Sequence, residues 1–221
     1  MITIDKSLGK PWRSQRDNTW KPHGACNVTS YLMAADQAGI ECPGDEDDFM
    51  AFMNRPRWYV ELRERFPWAY ETVGKDKIHY IYPPEQIHDL LAEGFRQWTN
   101  GAGFAEFTTC ASRRELMIDI LSGSGVVLSG KFPYKGGRSI NHIVSLAGFE
   151  TLQSDVEEVA YGTIDPSRVT AWIIDDPYGD CRTEYGSQDG NGVKLEPSLF
   201  DRYIKGAGPD CKWAHTLEAV G

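Results

Sequence analysis

Four residues of this 221-residue chain have the types and settings needed to break an amide bond: Gln15, Cys26, His142 and Asp176. Cys26 follows a loop broken by Pro22 and Gly24. It heads a run, Val28, Tyr31, Leu32, Ala35 and Ala38, whose apolar spacing predicts a helix closed by Gly39. A thiol attacks a carbonyl only as thiolate, and the unpaired N–H groups at a helix N-terminus stabilise that anion. Cys26 thus stands where a nucleophile is activated. His142 opens a predicted strand over Ile143–Phe149, just after a turn at Lys135-Gly136-Gly137-Arg138, so its imidazole falls at a strand end and can serve a thiol as base. Asp176 ends the next predicted strand, Ala171–Ile174, and Pro177 holds it extended. Its carboxylate can accept the other imidazole N–H and fix the tautomer. Gln15, eleven residues before Cys26, has a side-chain amide able to donate to a developing oxyanion.

Rival residues exist for each role. Asp175 neighbours Asp176, but adjacent residues of a strand point to opposite faces, so one of the two serves. His23 and His215 compete with His142 as base, while His79 and His88 lie outside any ligand spacing. The five cysteines are widely spaced and include no C-x-x-C pair, so neither a disulfide framework nor a zinc knuckle is indicated and a reducing site of synthesis fits. Cys42, Cys110, Cys181 and Cys211 are read as small hydrophobic or surface residues. No H-E-x-x-H is present, which argues against a zinc amidase, and no cofactor or metal is expected.

These side chains need a scaffold that alternates helix and then sheet. Asp45 to Asp48 places carboxylates at the start of a second helix over Phe49–Asn54, where negative charge is stabilising; the spacing does not follow a calcium loop. A stretch from Pro56 to Pro84 is dense in aromatics, Trp58, Tyr59, Phe66, Trp68, Tyr70, Tyr80 and Tyr82, and is assigned to core packing over a glycan- or peptide-binding cleft. Ile87, Leu90, Leu91, Phe95 and Trp98 mark an amphipathic helix. Thereafter the period shortens. Strands are predicted at Phe104–Thr109, Val126–Phe132, Ile143–Phe149, Ala171–Ile174 and near Trp213–Leu217, with helices opened by Ser112-x-x-Glu115 and spanning Pro197–Ile204. Thr151–Arg168 is read as a surface insertion. The fold class expected is α+β, one domain over residues 1–221 with a helical half over about 24–100 and an antiparallel-sheet half over about 101–221.

Composition excludes other classes. The net charge of −9 opposes a nucleic-acid or anionic-membrane partner, both of which need a positive field. No apolar stretch is long enough to insert in a membrane, and Met1–Lys10 alternates apolar and polar residues without the apolar run of a signal peptide. Against this acidic background the loops near Cys26 and His142 are locally basic. Arg16, Lys135 and Arg138 are therefore candidate substrate-binding residues for a carboxylate.

The segments Gln15, Gly24-Ala25-Cys26-Asn27-Val28-Thr29-Ser30, Asn141-His142-Ile143-Val144 with Gly148-Phe149, and Asp176-Pro177-x-Gly179 resemble the papain-like cysteine peptidases related to the bacteriocin-processing (double-glycine leader) peptidases. The wording around Cys26 and Asp176 is most similar to stand-alone versions encoded by bacteriophages and prophages. The resemblance runs from about Ser14 to His215 and departs in two places: a longer gap from Gln15 to Cys26 and 34 residues between His142 and Asp176. It implies a papain-like fold with Cys26 as nucleophile, His142 as base, Asp176 as orienting acid and Gln15 as oxyanion donor. It further implies a hydrolase of peptidoglycan stem peptides, an endopeptidase or amidase of endolysin type. Made in the host bacterial cytoplasm, such a protein reaches the wall through a holin-like pore or as part of a virion. Two other readings keep the fold: an intracellular protease processing a phage or host protein, and a non-catalytic virion or interaction module.

Overall fold

One long strand carries His142 and ties the sheet together. The computed structural model describes residues 1–19, 21–55, 70–72, 78–80, 84–157, 161–208 and 210–221. Trp58, Tyr59, Phe66, Trp68 and Tyr82 lie outside the described residues, and of Tyr70 and Tyr80 only the backbone is described. In chain order the elements are strand β1 (Ile2–Asp5), helices α1 (Cys26–Ala38) and α2 (Glu46–Met53), strands β2 (Tyr70–Thr72) and β3 (Ile78–Tyr80), and helix α3 (Pro84–Trp98). Strand β4 (Gly103–Ala111) and helix α4 (Arg113–Ser122) follow, then strands β5 (Gly125–Tyr134), β6 (Arg138–Thr151), β7 (Val169–Asp175) and β8 (Val193–Leu195). Helix α5 (Pro197–Tyr203) and strands β9 (Gly206–Gly208) and β10 (Cys211–Ala219) complete the chain.

Eight strands form one sheet in the order β4-β10-β5-β6-β7-β8, with β1 added to β6 and β9 to β10. All its pairings are antiparallel, so the fold is α+β. The first half of β6 pairs with β5, from Tyr134↔Arg138 to Val126↔Leu146. Its second half lies between β1 and β7, and β7 stops at Asp175 opposite Ser145. His142 is thus on β6 just beyond the point where β7 leaves it.

Alternation along the strands gives the sheet two apolar faces. Val126, Leu128, Val144 and Leu146 join Trp172, Phe149 and Phe200 in one buried cluster with α4 and α5. Val127, Ala105 and Leu217 face the other way, onto α1, α2 and α3 through Tyr31, Phe49, Leu91 and Phe95. The helices end where their residues dictate: Gly39 and Gly123 take left-handed C-caps, and Asp45 and Ser112 form capping boxes with Asp48 and Glu115.

The structure departs from the sequence reading in several places. His142 lies inside β6 and not at a strand end, because pairing with β5 carries the strand back to Arg138. Helices cover both faces of the sheet, since α4 and α5 lie opposite α1. The opening residues Ile2–Asp5 pair with β6 as a sheet strand. Thr151–Arg168 is more than a surface insertion, because Val156 and Ile164 are buried in the first cluster. Cys110 and Cys211 form a disulfide between β4 and β10, correcting their reading as small hydrophobic or surface residues outside any disulfide; a sequence separation of 101 hides a pairing that only strand neighbourhood creates.

Helix α1 sits close against the sheet at Gly125, where an added Cβ would come 2.1 Å from the Ala34 carbonyl oxygen. Gly125→Ala must push α1 away from β5, and overpacking of this kind costs about 1–3 kcal/mol. A lower urea midpoint at unchanged slope is the expected result; an unchanged midpoint would contradict this packing.

Candidate active site

Helix α1 begins at Cys26 without a side-chain cap, because Ala25 occupies the N-cap position. Its first-turn N–H groups are therefore left to whatever anion lies at that end. The helix is anchored to the strand of His142: Ser30 Oγ donates to the Ile143 carbonyl at 2.9 Å. The His142 side chain and the Ile143 backbone N–H both favour the Cys26 thiolate.

His142 is 3% exposed and Asp176 is fully buried. Nε2 of His142 lies 2.7 Å from Oδ1 of Asp176, leaving Nδ1 as the ring nitrogen for Cys26. The same carboxylate oxygen accepts the Tyr178 backbone N–H at 2.9 Å. Asp176 is held from behind as well, its N–H donating to the Gly190 carbonyl at 2.9 Å. Only glycine fits there, since a Cβ on Gly190 would lie 2.0 Å from the Asp176 carbonyl oxygen. The predicted turn at Asp189-Gly190-Asn191-Gly192 is thus a clamp on the acid.

Asp175 points the other way, accepting from Gln37 Nε2 at 3.1 Å and from the Gly192 N–H at 2.9 Å. Only Asp176 meets the imidazole. His215 lies elsewhere, bonded to Tyr31 and His88, while His23 stands on the rim of the cleft beside Tyr178.

Gln15 reaches the site through a route that sequence spacing does not show. The N-terminal segment bonds three successive carbonyls of the acid's loop: Trp12 Nε1 to Asp176 at 3.2 Å, the Gln15 N–H to Pro177 at 2.9 Å and Arg16 Nε to Tyr178 at 2.9 Å. The Gln15 side chain is 2% exposed, and its Nε2 donates to the Pro22 carbonyl at 3.0 Å. An amide nitrogen carries two N–H groups, so one remains for a ligand. Gln15, Cys26, His142, Asn141, Tyr134 and Tyr178 line a cleft of about 510 Å3.

Three tyrosines missed by the sequence reading complete the surroundings. Tyr178 and Tyr185 present edges to the His142 ring at centroid distances of 6.3 and 5.9 Å, and Tyr134 packs on both at 6.3 and 6.0 Å. The adjacency of Tyr178 to the Asp-Pro pair was the only available signal. Of the basic candidates, Arg16 stacks on Tyr178 at 4.0 Å and Arg138 on Tyr134 at 5.3 Å, so both lie against residues that line the cleft without lining it themselves. Lys135 is exposed and accepts from Arg138 through its carbonyl.

Burial opposes charge on both reacting groups, yet their mutual contact prevails. Desolvation raises the Cys26 pKa, but the hydrogen bond and charge of His142, with the Ile143 N–H, bring it below the ordinary thiol value. Burial likewise disfavours a charged His142, and the Asp176 carboxylate and Cys26 outweigh it, raising the imidazole to about 10. A thiolate–imidazolium pair therefore spans the range from the lowered thiol pKa up to about pH 10. Among the described residues no cluster of ligating side chains could hold a metal ion.

Neither the models of known protein families nor the curated proteins include a match to this chain.

The rate of Cys26 alkylation by iodoacetamide is expected to rise with a midpoint below the ~8.5 of a free thiol. His142→Ala should carry that midpoint above ~8.5, because burial then acts unopposed. Identical profiles for the two proteins would contradict the ion pair.

Proposed function

We propose that the protein is a cysteine-dependent amide hydrolase of papain-like type that cleaves peptidoglycan stem peptides, in the manner of a phage endolysin. The observation that carries the reaction class is the chain from Asp176 through His142 to the sulfur of Cys26, ending on an uncapped helix N-terminus. A nucleophile, a base held in one tautomer and a buried orienting acid are what acyl transfer requires.

In the proposed reaction the Cys26 thiolate attacks the substrate carbonyl, and the oxyanion takes hydrogen bonds from the Cys26 backbone N–H and the remaining Gln15 amide N–H. The His142 imidazolium gives its proton to the departing amine as the C–N bond breaks, leaving a thioester. Water, deprotonated by His142, attacks that thioester and releases the acid and the thiolate.

Three considerations favour the wall peptide as substrate. The motifs resemble those of stand-alone phage and prophage peptidases. Stem peptides carry free carboxylates, which suit the guanidinium groups of Arg16 and Arg138 beside the cleft in an otherwise acidic chain. The Cys110–Cys211 disulfide suits a protein that acts outside the reducing cytosol, and the wall lies there. No helix among the described residues is long and apolar enough to cross a membrane. Following the resemblance to phage peptidases, we place delivery with a holin-like pore or a virion.

Mass spectrometry of purified peptidoglycan is expected to show new muropeptides with the native chain and none with Cys26→Ala. His142→Ala should slow their release by about 10²–10⁴-fold. Fragments that persist with Cys26→Ala would overturn the assignment of the nucleophile, and an intact wall beside a hyper-reactive Cys26 would redirect the substrate to an intracellular protein.

A further inference from the structure

A second cleft, of about 550 Å3, is lined by the start of α3, parts of β5 and β10, and the link from α5 to β9. Asn141, the residue before His142, lines both clefts, so the two share a wall beside His142. Nothing in the hydrolysis described above uses this second space.

His88 forms one wall and is the end of a buried chain. Its Nδ1 lies 2.8 Å from Nε2 of His215, and Nδ1 of His215 lies 2.5 Å from the Tyr31 hydroxyl. Burial drives both imidazoles to the neutral form, with the charge of Lys205 helping at His88 and that of His88 helping at His215. Among the described residues the Tyr31 hydroxyl has no acceptor other than His215. That fixes the direction of the chain: Tyr31 donates to Nδ1 of His215, which carries its proton on Nε2 and donates to Nδ1 of His88. His88 then carries its own proton on Nε2. No acceptor among the described residues takes that N–H, and His88 is 93% buried by its own 7% exposure yet borders the cleft. The cleft therefore receives a fixed neutral donor, one that cannot turn into an acceptor without leaving the Tyr31 proton unpaired.

Cations predominate around this donor, although Glu85 on the same helix also acts on His88. Lys131, Arg202 and Lys205 line the cleft, and none of them has a carboxylate partner among the described residues. Lys205 is held in place: its N–H donates to the Ser129 carbonyl at 2.9 Å, its carbonyl accepts from Trp213 at 2.7 Å, and its ammonium lies 3.2 Å from the centre of the Trp213 ring. Asp201, the one acid on the lining, is already matched, with Lys212 Nζ 3.1 Å from Oδ1 and Arg113 3.7 Å from Oδ2. In a chain of net charge −9 this is a concentrated positive field.

We propose that the second cleft is a carboxylate subsite of the same groove, in which the His88 Nε2–H and the cations of Lys205, Lys131 and Arg202 bind a free carboxylate of the peptide whose scissile carbonyl lies at Cys26. The occupant is a peptide because Asn141 is a wall common to this cleft and the catalytic one, and the anion a peptide carries is a carboxylate. This rests on the hydrolase reading of Cys26 for the identity of the ligand, while the donor and the cations stand independently of it.

The test is calorimetric binding to the full chain carrying Cys26→Ala. Two probes are used, the tripeptide L-alanyl-γ-D-glutamyl-L-lysine and an aspartate-rich linear hexapeptide, each with carboxylates free and with carboxylates amidated. Amidation is expected to weaken binding by about tenfold or more, and the double substitution Lys205→Glu, Arg202→Glu to do the same. Whichever free acid binds identifies the source, wall peptide or polypeptide. Equal affinity for acid and amide, an unaffected double variant, or no binding of either acid would overturn the subsite. In the native chain the alkylation midpoint of Cys26 is measured beside these titrations. An ordinary thiol reactivity there, beside carboxylate-dependent binding, would instead remove the hydrolase reading.

Discussion

The hydrogen bond from His142 Nε2 to Asp176 Oδ1, 2.7 Å long and shut off from water, is the constraint on which the candidate site depends. A buried carboxylate is costly unless it is paired and hydrogen-bonded. Here the pair fixes which imidazole nitrogen is left for Cys26 and keeps the ring charged against the pull of burial. Every other contact around the site answers the same need. The Tyr178 N–H shares the carboxylate, the Ile143 N–H and the bare end of α1 face the sulfur, and the buried Tyr185 hydroxyl, kept protonated by burial and by the nearby charge of Asp176, lies against the acid.

That constraint explains how the sheet is cut. Strand β7 runs beside β6 only as far as Asp175, so the next residue is free to turn its carboxylate back onto His142, while Asp175 turns away to Gln37 and Gly192. The Gly190 clamp and the three carbonyl contacts of Trp12, Gln15 and Arg16 then fix the loop that bears the acid from two sides. Rigidity at the site thus comes from backbone bonds to distant segments. The same economy of position holds on the far side of Asn141, where the hydroxyl of a core tyrosine in the nucleophile helix sets the tautomer of two histidines and so the polarity of the adjoining cleft.

What could be read from the sequence was local. The apolar spacing behind Cys26 with Gly39, the Ser112 capping box, the turn before Arg138 and the strand that ends at Asp176 all appear in the structure near the expected residues, because each rests on period or on a neighbour within four positions. The same local signs placed Gln15, Cys26, His142 and Asp176 in order along the chain. What escaped reading is non-local. β1 completes the sheet through residues read only for the absence of a leader, the disulfide joins positions 101 apart, and the Tyr31, His215 and His88 chain spans separations of 184 and 127. A single sequence carries no signal for such partners. His88 in particular looks like one more polar position on an amphipathic helix until β10 brings His215 against it.

The state of the His142 ring is the most direct reading of the whole arrangement. Nitrogen-15 chemical shifts of that imidazole, followed through pH in the native chain, are expected to show both nitrogens protonated at pH 8 and loss of a proton only near pH 10. A ring with one unprotonated nitrogen at pH 8, titrating near the ~6.5 of a free histidine, would contradict the ion pair and with it the nucleophile.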